Sequence, residues 1–138
     1  MMKKFFYSIL VGSFLATGPV ALADDTPLAE KMDEVSGSLK LLRRAKDDHA
    51  KCLELVQLAQ SQLLECFAYV PALVEKMPEG KDKQVAIANY KKSLAASYQT
   101  LCGLELAYLS GDQDKIDDAA DLVKGSRKDG HQEFIEED

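Results

Sequence analysis

From Pro27 onward, apolar residues return every third or fourth position, the signature of helices that each bury one face. Leu28, Met32, Val35, Leu39 and Leu42 fall at steps of four, three, four and three. Thr26 can cap this first helix, Pro27 suits its first position, and Arg43, Arg44 and Lys46 place positive charge at its carbonyl end. A second stripe begins near Asp47 or Asp48. It runs through Cys52, Leu55, Val56, Ala59, Leu63, Cys66, Phe67 and Val70 to an end or kink at Pro71. Residues 71 to 83 hold Pro78 and Gly80 and read as the longest irregular stretch. The third stripe is Ile87, Tyr90, Leu94, Ser97, Tyr98, Leu101, Leu104 and Tyr108, stopped by Gly111. Asp112 can cap a fourth, carrying Ile116, Ala120, Val123, Arg127, His131 and Phe134. Helices joined by short turns pack antiparallel, so the pattern predicts an all-α, antiparallel up-down-up-down four-helix bundle.

The start of the chain follows a different rule. Lys3 and Lys4 precede an uncharged apolar run from Phe5 to Leu22, and Ala21-Leu22-Ala23 stands just before Asp24. A basic start, an apolar middle and small residues before the cut describe a secretory signal peptide. The expected organisation is therefore a leader over 1–23 and one bundle domain over 24–138. No twin arginine precedes the apolar run, which points to the general secretory route and a periplasmic product acquiring any cofactor after export. A retained membrane anchor is the alternative; with cleavage after Ala23, no stable membrane insertion is expected.

Charge narrows the partners. The full chain has 17 Lys+Arg against 23 Asp+Glu. Removing 1–23 takes away two lysines and no acid, leaving 15 against 23 and a net charge of −8. Such a surface lacks the basic face that displaces counterions from nucleic acid. It suits screened docking with basic proteins. Gly37, Gly103, Gly125 and Gly130 interrupt helical pattern, each costing about 1 kcal/mol against alanine. Close helix approach, a disulfide or a bound cofactor would offset that cost.

Topology brings two distant residues together. In an up-down-up-down bundle, the start of the first helix and the end of the fourth share one end of the molecule. Met32 stands in the second turn of the first helix and His131 near the end of the fourth, both on inward stripes. Phe67, Val70, Pro71, Ile87, Tyr90 and Leu94 come from the connection at the same end. A soft thioether facing an imidazole across an apolar space suits low-spin heme iron. Methionine ligation favours the ferrous state, and two protein ligands leave no open position for substrate, so the pair points to electron transfer rather than catalysis. The same residue types also serve as a core-filling methionine and a dipole-complementing histidine.

In Glu30-Lys31-Met32-Asp33-Glu34-Val35 through Leu39-Lys40, in Pro71, and from Gly111 through Arg127 to His131-Gln132, the chain resembles the soluble b-type cytochromes represented by cytochrome b562. The resemblance spans nearly all of 24–138, with a connection between the second and third helices about four residues longer. It implies a periplasmic electron carrier, not an enzyme, with one non-covalent heme b. Met32 and His131 would be its axial ligands, and an unidentified redox protein its partner. Arg127, one turn from His131, would neutralise a propionate. Phe67, Tyr90 and Leu94 would line the heme, with one aromatic of the family's pocket kept at Tyr90 and Leu94 replacing another. Ile135 stands where the family can place a basic residue. The related cytochromes c′ tether heme through Cys-x-x-Cys-His, which is absent here, so the heme is expected to be reversible. The rival expectation is a heme-free periplasmic bundle that binds a protein or a soft metal such as Cu(I).

Three cysteines remain. Cys52 and Cys66 lie about 21 Å apart along one helix, too far to bond. Folding the second and third helices about a midpoint near residue 77 sets Cys52 opposite Cys102. Cys52–Cys102 is therefore the expected bridge if one forms, against three reduced core cysteines. His49 falls at the opposite end from His131, with a surface role. The acidic residues Asp112, Asp114, Asp117, Asp118 and Asp121 lack calcium-loop spacing and suit a helix N-terminus.

Overall fold

The structure is a computed structural model that describes residues 26–134, except the side chains of residues 131, 133 and 134. The expected leader lies outside the described residues. All regular structure among the described residues is helical: α1 (Pro27–Arg44), α2 (His49–Glu65), a 3-10 turn (Cys66–Ala68), the single-turn α3 (Ala72–Glu75), α4 (Lys81–Ser110) and α5 (Gln113–Phe134).

The helix ends lie where local chemistry put them. Thr26 Oγ1 accepts from the Ala29 N–H at 3.0 Å, with Pro27 just inside the helix. Asp48 Oδ1 accepts from Lys51 N–H at 3.0 Å, and Asp112 Oδ1 from Asp114 N–H at 3.0 Å. These bonds satisfy donors that the first turn of a helix leaves orphaned. Gly111 closes α4 with φ 73°, a left-handed conformation glycine adopts without Cβ strain.

Helix α2 stops earlier than its stripe implied. It ends at Glu65, and Cys66, Phe67 and Ala68 tighten into the 3-10 turn instead of continuing to Pro71. The tertiary reason is Tyr90, whose hydroxyl donates to the Cys66 carbonyl at 3.0 Å. Tyr69 is then extended, and Pro71 disfavours a helical residue before it. The stretch expected to be irregular contains α3, whose Val74 is fully buried, and Met77 beyond it is buried as well. Gly80, at φ 145°, turns the chain into α4.

Side-chain bonds set the registers. Between α1 and α2, Ser38 donates to Gln62 Oε1 at 2.7 Å and Lys31 pairs with Glu65 at 2.6 Å. Between α2 and α4, Gln57 and Gln60 donate to the two Glu105 carboxylate oxygens at 3.0 and 2.8 Å. Between α4 and α5, the Ser97 and Ser126 hydroxyls lie 2.9 Å apart. With Gln60 also reaching Cys102 and Gly130 lying against Ser93, numbers rising along one helix meet numbers falling along the other in each pair. The core between them holds Val56, Ala59, Leu63, Leu101, Leu104, Ile116 and Val123.

The Cys52–Cys102 pairing is corrected by this register. All three cysteines are free, and Cys102 stands level with Gln60, eight residues from Cys52 and roughly 12 Å farther along the helix. That exceeds what a disulfide spans. The turn at Cys66–Ala68 and α3 consume chain between the helices, shifting α4 relative to a simple hairpin. Cys52 instead donates its thiol to the Ala45 carbonyl at 3.0 Å.

Candidate functional site

Three of the four sides of this arrangement are closed by intimate packing: α1 on α2, α2 on α4 and α4 on α5. The α4–α5 approach is especially close near its end, where a Cβ on Gly130 would meet Ser93 Oγ at 3.2 Å. Among the described residues, the seam between α1 and α5 is sparse. One side-chain bond crosses it, from Arg127 Nη2 to Ser36 Oγ at 2.8 Å.

That bond fixes a level. One helical turn (four residues) before Ser36 is Met32, and one turn beyond Arg127 is His131. Because the two helices run in opposite directions, both steps go toward the same end of the molecule. The backbone positions of Met32 and His131 therefore stand at about one height on facing helices. The side chain of His131 lies outside the described residues.

Met32 is partly buried, and its Sδ lies 4.0 Å from Cys66 Sγ. Cys66 is fully buried, and its thiol also reaches the Gln62 carbonyl at 3.6 Å. Burial pushes the Cys66 thiol up to about 11, aided by the Glu65 charge, so near neutral pH it keeps its proton. Tyr90 is 2 % exposed and Leu94 4 %, both in the packed interior. Burial, and then the nearby Cys66, raise the Tyr90 hydroxyl well above its ordinary value, so it remains a hydrogen-bond donor. Arg127 is exposed and engaged with Ser36.

An open depression of about 560 Å³ lies at this end, within the size range of small-molecule sites. Thr26, Pro27 and Leu28 of the α1 start face Phe67, Val70 and Ile87 across it, while Glu75, Lys76 and Lys91 line it as well. Phe67 is thus a wall residue, as are Val70 and Ile87. Tyr90 and Leu94 stand behind the wall in the core, and Met32 is one turn deeper than Leu28. The depression offers an apolar wall and lysines suited to carboxylates, and neither Met32 nor a residue of α5 lines it. Two features escaped the sequence pattern. Lys91 follows Ile87 by one turn and so shares its face, a signal available in the spacing. The Cys66–Met32 contact depends on the 3-10 turn, for which the stripe offered no cue.

Among the described residues no group of three or more His, Cys, Asp and Glu side chains is placed to hold a metal ion, and no helix is long and apolar enough to cross a membrane. No family model, curated protein or solved structure matches the chain.

Proposed function

We propose that this chain is a periplasmic electron-transfer protein, an up-down-up-down four-helix bundle holding one non-covalent b-type heme between Met32 and His131. The observation that supports the reading is the Arg127–Ser36 bond, one turn from Met32 and from His131 across a seam that is sparse among the described residues. The resemblance to soluble b-type cytochromes and the basic, apolar start of the chain support it from the sequence.

When bound, the heme supplies a one-electron ferric–ferrous couple. Met32 and His131 would hold it, and Phe67 and Ile87 would exclude water from one end. Arg127, by exchanging Ser36 for a propionate, would neutralise a carboxylate. The net negative charge of the chain suits docking of a basic redox partner through weak, screened attraction.

Titration of the purified protein with hemin tests the reading. One equivalent is expected to give sharp low-spin α and β bands on reduction, and Met32→Ala and His131→Ala are each expected to abolish them. Absence of the bands, or bands unaltered by both substitutions, would falsify it.

One observation favours a second reading, a soft-metal module. Met32 Sδ and Cys66 Sγ, 4.0 Å apart, are donors of the kind Cu(I) selects. Anaerobic titration with Cu(I) in place of hemin separates the two: saturation by Cu(I) with no response to hemin selects the second.

A further inference from the structure

We infer that the open depression is a binding site for an amphipathic monocarboxylate, an apolar body whose carboxylate is met by Lys91. The inference goes beyond the electron-transfer reading and does not depend on it, because neither Met32 nor any residue of α5 lines the depression.

The wall comes from three separate parts of the chain. Pro27 and Leu28 open α1, Phe67 and Val70 belong to the connection after α2, and Ile87 stands near the start of α4. Leu28 is buried, but Phe67, Val70 and Ile87 are only half-buried. Apolar surface thus stays in contact with water in a concave space of about 560 Å³. A ligand that covers this surface gains the free energy of removing it from water.

Charge selects the ligand. The chain carries 23 acidic against 17 basic residues, yet two lysines and one glutamate line the depression. The glutamate lies toward one end. Lys83 Nζ donates to the Glu75 carbonyl at 3.2 Å and to Glu79 Oε1 at 2.7 Å, so that lysine is already engaged. Lys91 is two turns farther along α4, roughly 12 Å at 1.5 Å per residue, with Ile87 midway on the same face. Among the described residues neither Lys76 nor Lys91 has an ion-pair partner. Lys91 therefore presents a free ammonium at the edge of the apolar wall, from the 30-residue α4 and not from a loop. An acid with an apolar body satisfies both features at once, its tail on Phe67 and Ile87 and its carboxylate on Lys91. A sugar phosphate would leave the wall uncovered, and a neutral hydrocarbon would gain nothing from the ammonium.

Calorimetric titration of the purified, heme-free protein with decanoate, below its micelle concentration, tests the inference. Decan-1-ol serves as the same chain without the charge. Decanoate is expected to saturate at one equivalent. Lys91→Gln is expected to weaken decanoate about two- to fivefold, the worth of an exposed ion pair, and to leave decan-1-ol unchanged. Ile87→Ser is expected to weaken both ligands alike. Lys92→Gln removes the same charge from a neighbouring exposed lysine outside the depression, and decanoate is expected to bind it as it binds the unsubstituted protein. Uptake without saturation overturns the inference. So does an equal response of acid and alcohol to Lys91→Gln, or equal weakening of decanoate by Lys92→Gln, which would assign the effect to net charge. Lys91 and Lys92 are both exposed, so these arms decide even where Ile87→Ser does not fold. Absence of low-spin bands with hemin sinks the heme reading and leaves a decanoate result standing.

Discussion

The two ends of the molecule treat the same residue type in opposite ways. At the closed end, Cys52 is fully buried and its thiol reaches the Ala45 and Leu42 carbonyls at 3.0 and 3.7 Å. Beside it, the His49 and Tyr108 rings meet edge to face at 5.6 Å. Burial, followed by the Cys52 contact, raises the Tyr108 hydroxyl well above its ordinary value. Short turns at Ala45–Asp48 and Gly111–Asp112 connect the helices at this end. At the open end, Cys66 is just as buried but leans on a methionine sulfur, and the longer connection between α2 and α4 frames a depression instead of a seal. One end directs its buried thiol to backbone carbonyls. The other retains soft donors and an apolar wall.

The largest expected contrast lies in truncations. Leu104 is 1 % exposed and packed in the common core, so Leu104→Ala is expected to lower folding stability by about 2–5 kcal/mol in denaturant titration. Phe67, on the wall of the depression, is only partly buried. Phe67→Ala is expected to cost about 1 kcal/mol or less without heme, with its main effect on hemin affinity. Equal stability losses in the apoprotein would erase the distinction between the ends.

A smaller effect concerns acid. Hydrogen bonds from Gln57, and then Gln60, hold the Glu105 carboxyl below its ordinary value. A carboxyl depressed by folding contributes stability that is present above its unfolded pKa and disappears as pH falls through the folded one. The stability difference between the protein and Glu105→Gln should therefore be greatest at neutral pH. It should shrink as pH drops below roughly 4, the ordinary carboxylate range. A difference independent of pH would show that the carboxylate charge contributes nothing to the α2–α4 register.

The smallest effects separate the glycines. A Cβ at Gly103 or Gly125 meets nothing within 4 Å, so Gly103→Ala and Gly125→Ala are each expected to raise stability by about 0.5–1 kcal/mol. Gly130→Ala should bring no such gain, because Ser93 Oγ must give way. Thermal unfolding of the three variants ranks them. A gain at Gly130 equal to the others would mean that α4 and α5 are not held closely near the end of α5. Close approach, one of the reasons offered for the glycines, thus applies to Gly130 and not to Gly103 or Gly125.

Helix starts and stops were legible in the sequence because each is a local event. Thr26-Pro27, Asp48, Gly111 and Asp112 act on backbone groups within a turn of themselves, and no distant residue is needed to understand them. The inward stripes followed for the same reason, since a period of about 3.6 residues names a face without naming its neighbour. What sat on that face was legible in part: Leu94 and Tyr90 fall inside, but as core behind the depression and not as its lining.

Register between helices required the folded chain. Cys52 and Cys102 were paired by assuming a simple hairpin, yet the connection's length enters the answer as much as the stripes do. Its path depends on Tyr90 reaching the Cys66 carbonyl from 24 residues away. The same non-local fact ended α2 at Glu65 and brought Cys66 beside Met32. The sequence by itself determined four amphipathic helices, their caps, and the residue types at Met32 and His131. Only the tertiary structure decided which residues stand level across each seam, that the α1–α5 seam is sparse among the described residues, and that a second sulfur lies against the methionine. Caps and stripes are set within a few residues, whereas levels, seams and contacts are set by what every other helix leaves room for.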